Sequence, residues 1–264
     1  MKLTVEHLER GTEIAETVAA FGKPLDERNR RYLLDTGLDY ARASGCLKWL
    51  WFQSLREAPP TKIRELVATF VDDGIERQGI SPQFHHRARH DVLLIQCAAF
   101  ASTNSQIKEL AKQVVDASGF GKFKPKNDGE LYESAWCGIF KYWILGDFKK
   151  ADEQARIAWG AYRPPWLKAG GKPLTTPWLN RDWKKFRVVQ QKDFDRLWSS
   201  GKKNGIVKKF TAKEAVVNAD LPIQQLWCWA HCGMALLAYR NGVDVVTDPF
   251  WFPPHALKIV PSDK

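Results

Sequence analysis

The stretch AWCGIFKYWILGDFKKADEQARIAW (residues 135–159) decides the fold expected for this chain. Its first half is apolar nearly all round, which is typical of a buried helix. Its second half has apolar residues at helical spacing with charged residues between them, which is typical of an amphipathic helix. Gly146 and Asp147 turn the chain between the two halves. The stretch therefore predicts a helical hairpin with one buried and one amphipathic helix.

The same couplet occurs twice earlier in the chain. Residues 47–52 (LKWLWF) and 91–101 (DVLLIQCAAFA) are apolar, and an amphipathic stretch follows each of them. The three apolar stretches begin near residues 47, 91 and 135, which are 44 residues apart both times. This interval lies in the range of helical-hairpin repeats. No residue identities recur at this spacing, so ordinary hairpins of similar length explain the interval equally well.

The remaining segments complete the expected architecture. A fourth apolar helix is predicted at 226–240, and two N-terminal helices at 4–21 and 26–43, the latter ending at Ser44-Gly45. Residues 243–246 are predicted to be extended, and the aromatic residues after them are expected to cap the array. We expect residues 1–264 to form one all-α domain of stacked antiparallel helical hairpins in a repeat-like array.

Composition limits the class of protein. The 264 residues are 44% hydrophobic and 27% charged, which is typical of a soluble globular protein. The apolar runs are too short to cross a bilayer, and no apolar signal-peptide region follows the N-terminus. Five cysteines without the spacing of a disulfide scaffold fit a reducing compartment. We expect a cytoplasmic protein without a membrane partner.

Positive charge is concentrated in residues 163–213, which we call the basic segment. It contains fourteen Lys and Arg but three Asp, a net charge of +11 against +10 for the whole chain. Without it, the fourth apolar helix would follow the third at an interval similar to the earlier ones. The basic segment is therefore predicted to be a Trp-rich insertion in the array. A helix is predicted at 192–200, and the rest, rich in Pro and Gly, is expected to be loop.

Cations alternate with aromatic residues in the basic segment, as in WKKFR (183–187). This pattern suits phosphate contacts combined with base stacking. It suits an acidic protein surface equally well, because Arg and Trp are typical interface anchors. A third interpretation is a lysine-rich loop whose Trp side chains pack into the helices beneath. The candidate partner-binding residues are Trp166, Trp178, Arg181, Trp183, Lys184, Lys185, Arg187, Arg196, Lys202 and Lys203.

Two groups of side chains raise the question of a metal or redox site. His86 and His90 are one helical turn apart, but the glutamate that a metalloprotease needs after the first histidine is missing. Cys228, His231 and Cys232 are also close in sequence, but the apolar helix around them is typical of core packing. The chain has no nucleophile elbow and no glycine-rich phosphate loop. We predict no catalytic residue, no metal and no cofactor.

Two stretches, WCGIFKYWILGDFKKADEQA (136–155) and AHCGMALLAYRNGVDVVTDPFWFPPHAL (230–257), carry a resemblance to a known family. They resemble the all-α immunity proteins of bacterial polymorphic toxin systems, in particular the immunity protein 49 family. The shared features are a GD turn after a small and aromatic helix and a closing segment of the form R-x-G-V…D-P-F-x-F-P.

The resemblance implies a cytoplasmic antitoxin that binds and blocks a cognate toxin and performs no catalysis. Immunity proteins against basic nucleases tend to be acidic, because their charge matches the target. This chain is basic, which favours a toxin with an acidic surface or an acidic catalytic cleft.

Overall fold

The computed structural model describes residues 1–6, 38–77, 84–119, 124–160, 172–218 and 229–261. Helices dominate these residues, so the all-α prediction is confirmed at the level of fold class. The helices are α1 Leu38–Leu55, α2 Pro60–Arg77, α3 Phe84–Ala101, α4 Asn104–Gln113, α5 Asp128–Leu145, α6 Phe148–Gly160, α7 Lys172–Leu179, α8 Trp183–Lys203, α9 Trp229–Arg240 and α10 Pro254–Ile259. The strands are β1 Lys2–Glu6, β2 Val207–Phe210 and β3 Glu214–Asn218.

The apolar helices α1, α3 and α5 form the centre of the molecule. α3 packs against α1 on one side and α5 on the other, and α9 also packs against α3. The amphipathic helices α2, α4 and α6 follow them in the chain, as the three couplets predict. None of the helices in the described ranges combines the length and the apolarity needed to cross a bilayer.

The hairpin of α5 and α6 shows how the chain reverses. Gly146 adopts a left-handed conformation (φ 80°) that suits glycine, and its N–H donates to the Trp143 carbonyl oxygen at 3.1 Å. The N–H of Asp147 donates to the Tyr142 carbonyl oxygen at 2.9 Å, so the last turn of α5 is capped. The Gly–Asp pair is therefore a helix stop followed directly by a helix start.

The aromatic residues near the C-terminus are buried, as expected for a segment that closes the array. Phe250, Trp251 and Phe252 have at most 1% of their surface exposed. Trp51 of α1 donates from Nε1 to the Phe250 carbonyl oxygen at 2.7 Å, which ties this segment to the central helices. Residues 243–246, predicted to be extended, are irregular and not part of a strand.

The first segment of the chain differs from its prediction. A helix is predicted at 4–21, but β1 occupies residues 2–6 and pairs in parallel with β3, which pairs in antiparallel fashion with β2. Leu3 and Val5 alternate with polar residues and pack against the core. The remainder of that predicted helix, residues 7–21, lies outside the described residues.

The stop predicted at Ser44-Gly45 is also wrong, because α1 continues through both residues to Leu55. Glycine inside a helix costs about 1 kcal/mol relative to alanine. Ala43, Cys46 and Leu47, which flank the pair, are buried. Packing of this part of α1 against α3 outweighs the weak local signal.

The described part of the basic segment, residues 172–213, has more regular structure and is more buried than predicted. Residues 172–179 and 183–191 were expected to be loop, but they belong to α7 and α8, and residues 207–210 form β2. Leu174, Phe186 and Phe194 of this segment are essentially inaccessible to solvent. Tertiary packing thus overrides the Pro and Gly signals, and this part of the basic segment contributes to the core. Residues 163–171 lie outside the described ranges.

Candidate partner-binding surface

Helix α8 carries the candidate surface, and its 21 residues divide into two faces. At about 100° per residue, its buried positions fall on one side of the helix. The buried residues are Phe186, Gln190, Asp193, Phe194, Trp198 and Gly201. On the opposite side five lysines are exposed, and we call them the lysine face: Lys184, Lys185, Lys192, Lys202 and Lys203. One side of α8 is thus fixed in the core while the other presents positive charge.

The acids that the structure describes do not neutralise the lysine face. In the part of the chain that the structure describes, none of its five lysines has an ion pair. Lysines elsewhere do have such pairs: Lys112 Nζ lies 2.9 Å from Glu109 Oε2, and Lys150 Nζ lies 3.3 Å from Asp147 Oδ2. Unpaired, solvated charges on one helix face are available to an acidic partner.

The two arginines of α8 differ from its lysines. The Nη1 atom of Arg187 lies 2.9 Å from Asp244 Oδ2, and Arg196 forms an ion pair with Asp193 one turn earlier on the helix. Both guanidinium side chains are about half exposed, at 48% and 47%. Arg196 lies on the lysine side of α8, whereas Arg187 falls among the buried positions on its other side. The charge of both is partly neutralised within the molecule.

Trp178, predicted to contact a partner, is a core residue instead. Its side chain is completely buried and stacks on Trp143 of α5, with ring centroids 4.5 Å apart and an interplanar angle of 14°. Its Nε1 donates to the Met234 carbonyl oxygen of α9 at 3.1 Å. The prediction is therefore wrong for Trp178, because no partner can reach its indole without unfolding this region. Trp166 lies outside the described residues.

The other two described tryptophans of the basic segment, Trp183 and Trp198, are partly or fully buried. Trp183 is partly buried and packs edge-to-face on Phe186, with centroids 6.2 Å apart. Trp198 is 4% exposed and donates from Nε1 to Asp248 at 2.7 Å. Of the interpretations open for this segment, packing of its Trp side chains into the helices beneath holds for Trp178 and Trp198.

Asp248 holds the buried side of α8 in place. Besides the Trp198 indole it accepts backbone N–H groups of Phe250 and Trp251, at 2.9 and 2.8 Å. Burial raises the pKa of Asp248, although these three hydrogen bonds oppose that rise. The turn that begins the D-P-F-W-F segment therefore holds α8 in place through the hydrogen bond between Asp248 and Trp198.

Arg181 occupies the corner between α7 and α8. It is exposed and adopts a left-handed conformation (φ 56°) that is unfavourable for a residue with a Cβ atom. Its guanidinium lies 4.6 Å from the ring centroid of Phe148, at the start of α6. At the other end of α7, Lys172 lies 5.3 Å from the ring centroid of Trp159. These two cation–π contacts fasten α7 across α6.

The His–Cys group of α9 lies in the core. The His231 ring is fully buried against Phe194, with centroids 4.4 Å apart, and its Nδ1 is 3.7 Å from the Asp193 carboxylate. Cys232 donates from Sγ to the Trp251 carbonyl oxygen at 3.5 Å. The third member, Cys228, lies outside the described residues.

Of the His86–His90 pair of α3, the structure describes the side chain of His90. His90 is half-buried, and its Nδ1 lies 3.3 Å from the carboxylate of Asp91. The side chain of His86 is not among those described. Within the described ranges, no three His, Cys, Asp or Glu side chains come together in a way suited to a metal ion.

Sequence reasoning missed two residues of the candidate surface. Lys192 belongs to the lysine face, and Val188, between the lysines, is 51% exposed. The signal that finds them is helical period: Lys185, Lys192 and Lys203 fall on one line once the helix is taken to begin at Trp183. Predicting the helix only from residue 192 concealed that line.

Comparison of the chain with protein-family models, with curated proteins and with solved structures finds no match. The candidate surface is therefore interpreted from its own geometry and charge.

Proposed function

We propose that this chain is an antitoxin of the immunity-protein type, which acts in the cytoplasm by binding a cognate toxin and blocking it sterically. The observation that carries the proposal is the lysine face: five unpaired lysines on the outer side of a helix whose inner side is locked into the core. The resemblance of residues 136–155 and 230–257 to the immunity protein 49 family supports the same function.

The rigidity of α8 supports a binding role. Trp198 and Phe194 fix the helix from below, and Asp182 caps its first turn by accepting the Lys185 N–H at 3.1 Å. A contact surface that is ordered before binding loses less conformational entropy in the complex. Occlusion of a toxin requires such a surface and no catalytic group.

Charge complementarity favours an acidic protein surface as the target. Lysines without internal partners attract acids and speed association through long-range steering. In this proposal they pair with carboxylates around the toxin's active cleft, and the helix then covers that cleft.

Nucleic-acid binding is the second candidate, because the same lysines suit phosphate groups. The position of the tryptophans weakens it. Trp178 and Trp198 are buried, so they cannot stack on bases as single-strand binding requires. Phosphate contacts remain, and they predict an affinity for DNA or RNA that falls steeply with salt.

Co-expression with the product of the adjacent gene tests the proposal. That product alone is expected to stop bacterial growth, and this chain is expected to restore it. The variant K184E/K185E/K192E should fail to restore growth, because reversed charges repel an acidic target.

The matched control reverses three exposed lysines outside α8, in the variant K62E/K108E/K126E. It carries the same change in net charge and should protect like the wild type. The proposal is wrong if the neighbouring product is harmless alone, or kills equally with and without this chain.

A further inference from the structure

We infer that the lysine face receives an acidic α-helix of the partner, which lies lengthwise along α8. This inference rests on the proposed function and specifies the partner's contact element. It follows from the way in which the cations are arranged along α8, not from their number alone.

Six of the seven cations of α8 form two lines along the helix, and Arg187 lies on neither. Lys185, Lys192, Arg196 and Lys203 lie within about 20° of one line, because they are separated by seven, four and seven residues. Lys184 and the residue eighteen positions later, Lys202, form a second line about 100° away. Each line extends for about 27 Å at a rise of 1.5 Å per residue.

The strip between the two lines covers about 100° of the helix circumference, and two of its residues are uncharged. Val188 and Ser199 lie on it, and Val188 is 51% exposed. In paired helices, small and apolar residues along the contact line are flanked by charged residues that determine partner choice. The exposed side of α8 has this arrangement with cations on both flanks.

Spacing favours a helix over an extended chain as the occupant. Residues seven apart on any α-helix rise about 10.5 Å, which is the separation between Lys185 and Lys192 and between Arg196 and Lys203. Residues on one side of an extended strand repeat about every 6.7 Å, so successive acids would fall out of register with the cations. A duplex carries phosphates so densely that it requires no register at all.

Asp195 makes the second line of cations less positively charged than the first. It is exposed on the second line, between Lys184 and Lys202, and accepts a hydrogen bond from Gln191 at 3.2 Å. The first line contains no acid, so the partner's densest row of carboxylates is expected to face Lys185, Lys192 and Lys203.

Binding of synthetic peptides to the full-length wild-type chain tests the inference. The first peptide is a helix of about three heptads, with glutamates on the two flanks of an alanine and leucine line. The second has the same composition, scrambled so that the glutamates surround the helix. Because exposed ion pairs are individually weak, several in register are needed, and we expect the first peptide to bind about tenfold more tightly at low salt.

Two variants and one further probe complete the experiment. K185E/K192E/K203E should bind the first peptide at least about tenfold more weakly than wild type, whereas K62E/K108E/K126E should stay within about threefold. A short DNA duplex serves as a phosphate probe of similar charge. Equal affinity for the two peptides, or tighter binding of the duplex than of the first peptide, would overturn the inference.

The outcome separates this inference from the proposed function. If growth is restored in the co-expression experiment but the two peptides bind alike, the antitoxin function stands and the helical contact is wrong. If growth is not restored but the first peptide is preferred and the lysine substitutions remove that preference, the helix-binding surface stands and the antitoxin function is wrong.

Discussion

At the scale of single residues, side-chain type does not decide the role of a residue in α7 and α8. Lys184 and Lys192 are solvated and unpaired, whereas Arg187 and Arg196 have partners within the chain. Trp178 resembles an interface anchor in sequence but is fully buried. Residue type alone does not separate a contact residue from a core residue, because Trp is common in both settings.

Arg181 provides a test of backbone strain at the α7–α8 corner. Its φ of 56° favours glycine, and its guanidinium contacts the Phe148 ring. Arg181→Ala and Arg181→Gly both remove the cation–π contact, but glycine also removes the steric penalty of the left-handed conformation. We therefore expect the Gly variant to be more stable than the Ala variant by about 1 kcal/mol in urea unfolding. Equal stability of the two variants would show that the backbone at this corner relaxes.

Asp116 contributes to the loss of folding stability at acid pH. Burial opposes its ionisation, but hydrogen bonds from Ser118 and Tyr142 and the charge of Lys141 outweigh burial and hold its pKa below the usual 3.8. A lowered pKa stabilises the fold above 3.8, and this contribution is lost as the pH falls through the folded-state value.

The variant Asp116→Asn lacks this titration. In urea unfolding at a series of pH values, it should be less stable than wild type near neutrality, because Lys141 loses its ion-pair partner. The difference should shrink as the pH falls below 3.8. Parallel pH profiles would contradict the proposed role of Asp116.

At the scale of helices and strands, the α5–α6 hairpin could be predicted from sequence and the α7–α8 pair could not. The hairpin is predicted at 135–159, and the two helices extend from Asp128 to Gly160 with their turn at Gly146. Its signals are local: an apolar run, a glycine stop and an amphipathic period. By contrast, α7 contains Pro177, and it forms because Trp178 and Leu174 are buried between α5, α6 and α9.

The small sheet shows the same limit of sequence reasoning. β1 at residues 2–6 pairs with β3 at residues 214–218, about two hundred positions away. The run KLTVE alternates apolar and polar residues, but it is too short for that pattern to distinguish a strand from the first turn of a helix. Pairing with the distant β3 makes these residues a strand, so hydrophobic periodicity alone does not predict it.

Gly201 tests how closely α8 is packed against the rest of the chain. A Cβ atom there would lie 2.9 Å from Val207 Cγ2 and 3.0 Å from Trp251 Cζ2, both in buried side chains. We expect Gly201→Ala to destabilise by about 1–2 kcal/mol in thermal or urea unfolding, despite the higher helix propensity of alanine.

The matched control is Gly160→Ala at the end of α6, where the added Cβ would meet no described residue within 4 Å. This variant should be neutral or more stable by up to about 1 kcal/mol. A Gly201→Ala variant that is as stable as the control would mean that α8 is held more loosely than the structure indicates.

At the scale of the whole molecule, a helical core carries one strongly basic face. The hairpin helices, α9 and the C-terminal aromatic segment hold α7 and α8 from beneath. The basic segment is predicted from sequence to be an insertion; its described part, residues 172–213, is core on its inner side and charged on its outer side. The outer part of that prediction, a positively charged contact surface, remains a prediction.

The most direct test is the affinity of the purified chain for the toxin domain encoded by the adjacent gene. It is measured for wild type and for K184E/K185E/K192E, with melting temperatures recorded in parallel. We expect the variant to bind at least about tenfold more weakly, and its melting temperature to be nearly unchanged, because these lysines are exposed and unpaired. Unchanged affinity, or a large fall in melting temperature, would contradict the assignment of the lysine face as a contact surface.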